Sequence, residues 1–442
     1  MGLKLVNMNI AALKPWPNNA RTHSKKQLRK LAKSIQEFGF VNPILMSVDG
    51  FIIGGHGRVE AAKMAGLEEV PVIVLPALSQ DQLRALVIAD NRLALDAGWD
   101  EELLAIELES LAEANYDLNL TGFELAEVDF IIDGAAEADP NGSNLPEDKV
   151  TLSTGTAVTR RGDLWLMGRH KVLCGDAQKP QDFATLMGDE RADMAFLDSP
   201  YNVPIDRNVC GKGSVKHREF AFASGEMSEA EFTAFLTVTH SNVAAVMRDG
   251  AIIFSCIDWG HMGEMLQACK KAFTELKNLV VWAKTNAGLG SCYRSQHELI
   301  FVSKHGTAEH TNNFGLGGTG RYRTNVWTYP GISSMTADRA EQLAAHPTAK
   351  PVVMVADAMK DCSKRGETIL DCFGGAGVTA IAAHKTGRIA RLIEIDELYC
   401  DTIVRRWEKL TGKKAVLAAS GLPFEDVAEE RSATTSAEAN NG

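Results

Sequence analysis

From Ala192 an apolar run, ADMAFLD, climbs to the carboxylate of Asp198, and Ser199, Pro200 and Tyr201 follow directly. These four residues suit one kind of chemistry. The nitrogen of an exocyclic amine on an aromatic base is a poor nucleophile, because its lone pair is delocalised into the ring. Acceptors on its N–H groups push the nitrogen toward sp3 geometry and free that pair. Asp198 supplies a carboxylate acceptor, and the Ser199 carbonyl supplies a second one, aimed by the fixed backbone of Pro200. Tyr201 offers a flat face on which an extruded base can stack. Taken alone, the same stretch also reads as a strand ending in an ordinary turn with a packed tyrosine.

A second stretch, ETILDCFGGAGVTAIAAHKTG, reads as a strand, a glycine-rich turn and a helix. Gly375 and Gly377 form G-x-G, which lets backbone approach a ligand beside the unpaired N–H groups of a helix N-terminus. Glu394 ends the next strand, RLIEID, about 20 residues past the glycines, where a carboxylate would hold a pair of ribose hydroxyls. Nicotinamide enzymes share this pattern, and so does plain tight packing of strand on helix. The turn comes late in the chain, and the Asp198 strand precedes it on the same expected sheet. Both facts favour S-adenosylmethionine over a nicotinamide, and hydride transfer stays open as an alternative.

These residues need elements to hold them. From about residue 158, short apolar strands alternate with helices: ADMAFLD, GAIIFSCID, LKNLVVWAK, HELIFVSK, ETILDCF and IARLIEID. The alternation predicts an α/β domain with a parallel, Rossmann-like sheet and crossover helices over residues 158–415. Upstream, residues 1–76 read as a small α+β unit: a helix stopped at Gly39, two strands around Asp49-Gly50, a helix stopped at Gly66, and the strand VPVIVL. Residues 77–133 have helical periodicity, residues 134–157 read as an acidic, turn-rich linker, and residues 416–442 as a disordered tail.

The ordered set of motifs resembles the amino-group DNA methyltransferases that modify adenine N6 or cytosine N4. It comprises LCGDA (Leu173 to Ala177), DSPY (Asp198 to Tyr201), HPTAKP (His346 to Pro351), DCFGGAG (Asp371 to Gly377) and LIEID (Leu392 to Asp396). The catalytic motif precedes the cofactor glycines, which resembles the permuted β group. The resemblance implies an S-adenosylmethionine-dependent methyltransferase sheet with Asp198, Ser199, Pro200 and Tyr201 at the target amine. It implies that Phe373, Gly375 and Gly377 line the methionine part of the cofactor, with Asp371 among the cofactor-binding residues. Glu394 would hold the ribose, Asp176 would lie near the adenine amine, and Lys350 would fall in the motif flanking the methionine carboxylate. Ser199 departs from the proline common at its position; a serine still presents its carbonyl, on a less rigid turn. An Asp leading the turn leans toward adenine N6, with cytosine N4 as the alternative. No metal is required, and a restriction–modification setting is expected.

The stretch IIGGHGRVEAAKMAGLEEVPVIVL resembles the ParB/sulfiredoxin-like fold over residues 1–76. In that family a glycine-rich turn before a helix holds phosphate. Gly54, Gly55, Gly57 and Arg58 occupy the turn here, with His56 as a candidate phosphate contact. His56 stands where partition proteins carry Glu, which argues against nuclease action and leaves DNA docking or a structural role. A ParB-like DNA-binding regulator with an inactive methyltransferase half is the reading from a different function class.

Duplex DNA is the expected partner. Arg207, Lys212, Lys216 and Arg218 crowd a polar stretch just after Tyr201. Arg294, Arg321 and Arg323 mix with Tyr293, Tyr322 and Trp327 in two further glycine-rich stretches, as phosphate contacts beside stacking rings. The formal net charge of −11 argues against indiscriminate coating of nucleic acid and is compatible with such local basic patches. At 442 residues, with 45% hydrophobic and 23% charged residues, the chain reads as a soluble protein of two or three domains. No apolar run is long enough for a membrane span and no secretory signal is visible, so a cytoplasmic protein is expected. Its eight cysteines include no C-x-x-C pair, which removes the common zinc patterns. A homodimer is compatible with all of this.

Overall fold

A computed structural model describes residues 3–114, 116–135, 150, 152–203, 225–285, 292–314, 323–331 and 350–440. The chain forms two compact units, Met1–Glu137 and Ala138–Gly442. No helix among the described residues is long and apolar enough to cross a membrane.

In the first unit, β1 (Lys4–Asn9), β2 (Ile44–Met46), β3 (Ile52–Gly54) and β4 (Glu69–Val74) form one sheet in the order β1-β4-β2-β3. The β2–β3 hairpin closes at Asp49-Gly50, where Gly50 takes a left-handed φ of 85°. Ser24 caps the helix Lys25–Phe38 by accepting from Gln27 N at 3.1 Å. Ile44, Met46, Ile52, Val59 and Val72 close the core.

The helices after residue 76 belong to this unit, which corrects the expected boundary there. Gln80–Leu93 lays Leu83 and Val87 against Trp16, Ile53 and Leu75. After the helix Glu101–Glu113, the turn before the helix Leu125–Ala135 is tied to the first helix: Lys33 pairs with Asp117 and Lys30 donates to Gly122 O. Burial, not composition, sets this boundary. Leu83 and Val87 have nowhere else to hide.

Among the described residues the second unit has ten strands, numbered in chain order: β5 (Leu164–Met167), β6 (His170–Cys174), β7 (Ala192–Leu197), β8 (Met247–Ile257), β9 (Glu275–Lys284), β10 (His297–Lys304), β11 (Val326–Tyr329), β12 (Thr368–Asp371), β13 (Ile389–Glu394) and β14 (Val416–Leu417). Their spatial order is β11-β9-β10-β8-β7-β12-β13-β6-β5-β14. The five central strands, β8-β7-β12-β13-β6, run parallel as expected. The flanks correct the all-parallel picture, because β10 is antiparallel to β8 and β9, and β5 is antiparallel to β6 and β14. At one flank a short connection forces this: β5 and β6 are separated only by Gly168, at φ 59°, and Arg169, too few residues for a crossover helix.

Helices cover both faces. Met194 and Phe196 of β7 face the helices Val352–Cys362, Val378–Lys385 and Glu397–Thr411. Ala195 and Leu197 face Pro180–Met187, Glu229–Val246 and Met262–Ala272. The expected disordered tail is also corrected: β14 extends the sheet and Phe424–Asn440 is helical, with Phe424 buried on Trp165 at 5.0 Å between ring centroids.

Candidate active site

β7 leads through its helix to β8 on one side, and β12 leads through its helix to β13 on the other. The connections diverge between the adjacent strands β7 and β12. A parallel sheet opens a crevice at such a switch point, at the carboxyl ends of the strands. Asp198 follows β7 there and Asp371 ends β12, with Ala195 in register with Leu370. The two sequence motifs therefore share one end of the sheet.

Around Asp198 the structure assembles a buried network. Lys350 Nζ donates to Asp198 Oδ1 at 2.6 Å and to the Tyr201 hydroxyl at 3.0 Å, and it lies 3.1 Å from Glu298 Oε2. The Tyr201 hydroxyl lies 2.8 Å from Glu298 Oε2 and 3.1 Å from Asp198 Oδ1, so its single proton goes to Glu298 on the shorter contact. Lys284 pairs with the other oxygen, Glu298 Oε1. Burial raises the Asp198 carboxyl, Lys350 opposes the rise, and Glu298 adds to it. Burial also raises Glu298, yet Lys350 and Lys284 outweigh it and bring that carboxyl down to about 2. Lys350 goes up: burial favours the neutral amine, and the carboxylates of Asp198 and Glu298 overcome it. Among the described residues, the bonds to Asp198 fall on Oδ1, which leaves Oδ2 as an acceptor.

Lys350 thus lies with the Asp198 turn, although the motif resemblance had assigned it to the methionine end of the cofactor. Its place follows from the chain: Pro351 caps the helix Val352–Cys362, and the residue before it is delivered under the Tyr201 ring, 5.2 Å from the centroid. Ser199 is buried, and its hydroxyl has no partner among the described residues. Asn202 closes the turn at φ 55°; its side chain accepts from Gly225 N and Met227 N and donates to Met227 O. The sequence reading passed over Asn202, Lys284 and Glu298. The signal for Glu298 was an acid inside HELIFVSK, at a position the strand otherwise keeps apolar.

At the glycine turn, Asp371 accepts from Phe373 N at 3.0 Å and from Thr379 Oγ1 at 2.6 Å, and burial lifts it to about 7. Glu394 accepts from Gly375 N at 2.7 Å and Asp396 N at 2.8 Å; burial lifts it to about 7 against those two bonds. Gly375 and Gly377 sit at φ 47° and 82°. A Cβ on Gly377 would lie 3.0 Å from Ile403, so that position also serves close packing of the turn on the helix Glu397–Thr411. Phe373 lies 6.2 Å from the Phe235 ring. Gly175 N donates to Glu394 O, which sets the half-exposed Asp176 beside the end of β13.

The expected nucleic-acid contacts divide. Arg207, Lys212, Lys216, Arg218, Arg321 and Tyr322 lie outside the described residues, as do His346 to Ala349. Arg294 and Tyr293 are exposed. Arg323 is turned inward, a correction to its expected phosphate role: it bonds Asp361 at 2.8 Å and Tyr329 at 3.1 Å and covers the buried Trp327. Two carboxylates, Asp357 and Asp361, hold it there. In the first unit, His56 Nε2 accepts from Trp16 N at 3.1 Å, and burial followed by the nearby His23 lowers its pKa. That nitrogen of the candidate phosphate contact is therefore engaged by the backbone. Arg58 donates to Asn42 O and Pro43 O.

Comparison with known proteins fits this division. Residues 192–405 match the N6/N4 DNA methylase family, residues 2–91 the ParB N-terminal domain, and residues 102–161 the ParB-methyltransferase HTH domain. The chain carries an N6/N4 DNA methylase domain and a ParB N-terminal domain. The ParB-like nuclease domain-containing protein YnaK of Escherichia coli (strain K12) is 49% identical over 80 residues, which are 18% of this chain and 92% of YnaK. The type II methyltransferase M2.MboI of Moraxella bovis is 22% identical over 237 residues, 52% of this chain and 85% of the relative. The crystal structure of the M1.HpyAVI–SAM complex superposes with a TM-score of 0.38 at 14% identity, covering 53% of this chain and 97% of that one. The helices after residue 101 fall within the stretch that matches the HTH domain, which helical periodicity alone had left unnamed.

Proposed function

We propose that this methylase transfers a methyl group from S-adenosylmethionine to the exocyclic amine of a base extruded from duplex DNA, and that the amine is adenine N6. The observation that carries the reading is the meeting of Asp198 and the glycine turn at one switch point, on adjacent parallel strands.

The residues present fit the donor. Glu394 offers an acceptor carboxylate for a ribose diol, and Asp176 lies beside it. The Phe373 ring and the glycine backbone provide an apolar, closely approachable wall. The amides at the N-terminus of Val378–Lys385 suit a carboxylate. S-adenosylmethionine supplies an electrophilic methyl group on a sulfonium. The chain prepares the nucleophile: Asp198 Oδ2 and the Ser199 carbonyl accept the two N–H bonds of the target amine and localise its lone pair. Tyr201 stacks on the base while its hydroxyl stays tied to Glu298. Once methylated, the amine is cationic and loses a proton to water. The buried Ser199 hydroxyl, without a partner among the described residues, is a polar group that bound substrate or cofactor would satisfy.

The test is transfer of labelled methyl to unmethylated genomic DNA, followed by nucleoside mass spectrometry. N6-methyladenine is expected; N4-methylcytosine would correct the base and keep the reaction. Asp198→Asn is expected to cut transfer by at least about a hundredfold while still binding S-adenosylmethionine. A wild-type chain that binds both cofactor and DNA yet methylates neither base would be a regulator instead.

A further inference from the structure

The carboxylate of Glu298 joins the Asp198 network although no motif accounts for it. It is buried, 7% exposed, in a strand whose next residues, Leu299, Ile300 and Phe301, are core. Burying a carboxylate is costly unless it is fully paired. Here one oxygen serves the Asp198 turn and its cation, through the Tyr201 hydroxyl and Lys350, while Lys284 neutralises the other. Register places Glu298 opposite Trp282, whose ring lies under both Lys284, at 4.7 Å, and Lys350, at 5.8 Å. Three separate elements thus converge on one carboxylate.

We propose that Glu298 is a positioning residue for methyl transfer: it holds Lys350 and the Tyr201 hydroxyl so that Asp198 keeps one oxygen clamped and presents the other to the target amine. This rests on the methyltransferase reading above. Without Glu298, the Tyr201 hydroxyl turns to Asp198, and Lys350 is left with a single carboxylate. Both changes draw Asp198 inward and away from the base. The ionisable groups around Lys350 are Asp198 and Tyr201 after β7, Cys256 on β8, Glu298 on β10, and Asp371 on β12 through its coupling to Asp198; Lys284 on β9 reaches the group through Glu298. Glu298 raises the Asp198 carboxyl and Lys350 lowers it, so the two act on its ionisation with opposite sign.

That opposition gives the test. Single-turnover transfer of labelled methyl to unmethylated genomic DNA is measured against pH in the full-length wild type, Glu298→Gln and Lys350→Met, with S-adenosylmethionine affinity measured alongside. Glu298→Gln is expected to slow the plateau rate about tenfold to a hundredfold, with cofactor affinity unchanged. Its acid limb moves to lower pH, because Asp198 has lost a like-charged neighbour. Lys350→Met moves the acid limb to higher pH. A Glu298→Gln enzyme as fast as wild type, or one whose limb stays put while the rate falls, overturns the proposal and leaves the methyltransferase reading standing. No transfer by wild type removes both. If Glu298→Gln does not fold, Tyr201→Phe cuts the same link; transfer at the wild-type rate in that variant overturns the proposal.

Discussion

Each carboxylate in the crevice has its ionisation set by what surrounds it. Glu394 spends its two oxygens on Gly375 N and Asp396 N, yet burial still lifts it to about 7, and Asp371 is lifted to about 7 as well. An acceptor for ribose hydroxyls works best ionised. S-adenosylmethionine affinity, measured by calorimetry, is therefore expected to rise with pH toward 7, by up to about tenfold per unit on the acid side, and to level off above it. Glu394→Gln should bind weakly and lose its share of that slope. Stability of the ligand-free chain runs the other way. Both carboxyls stand higher in the folded chain than in water, so their contribution is whole below about 4 and is lost as pH rises through about 7. Opposite trends in binding and stability are the signature; parallel trends would assign the slope to other groups. Asp198, Tyr201 and Glu394 were legible in the sequence because their chemistry is written in neighbouring letters. Glu298 was not, because its partner Tyr201 is 97 residues away and only sheet pairing joins them.

Among elements, the strands near the switch point were legible and the sheet margins were not. A buried parallel strand is a dense apolar run such as ADMAFL, which few other structures explain. The margins carry weaker signals: β1 is a half-exposed edge, and β14 has two residues. The C-terminal helix Phe424–Asn440 was misread because its anchor is sparse. Phe424 and Val427 are its buried residues among those described, while Arg431 reaches Asp163 and Val158 O. Average composition outvoted two well-placed side chains. Phe424 is nevertheless packed between Trp165 and the Arg405 guanidinium, 5.0 Å from each by ring centroid or charge. Phe424→Ala is expected to cost about 3–5 kcal/mol in the methylase unit, read as a lower denaturant midpoint. A change below about 1 kcal/mol would mean that the helix contributes little to the sheet it covers.

On the scale of the whole molecule, the two units close separate cores: Ile44, Ile52 and Val72 in one, and the Trp165, Phe196 and Trp407 cluster in the other. Each core is lined by residues of its own unit, so each can melt without opening the other. The proposed cofactor contacts, Asp176, Phe373, Gly375 and Glu394, all lie within Ala138–Gly442. Scanning calorimetry of the full chain is therefore expected to resolve two transitions, and S-adenosylmethionine should raise only one. At a hundred times its dissociation constant a ligand adds about 2.7 kcal/mol to the unit that binds it. Phe424→Ala lowers that same transition, which identifies it independently of the ligand. If a single transition carried both effects, the units would unfold as one, and the ParB domain would share the energetics of methyl transfer. If the ligand moved the transition that Phe424→Ala leaves in place, the cofactor would bind in the ParB unit, and the crevice between β7 and β12 would lose its assignment.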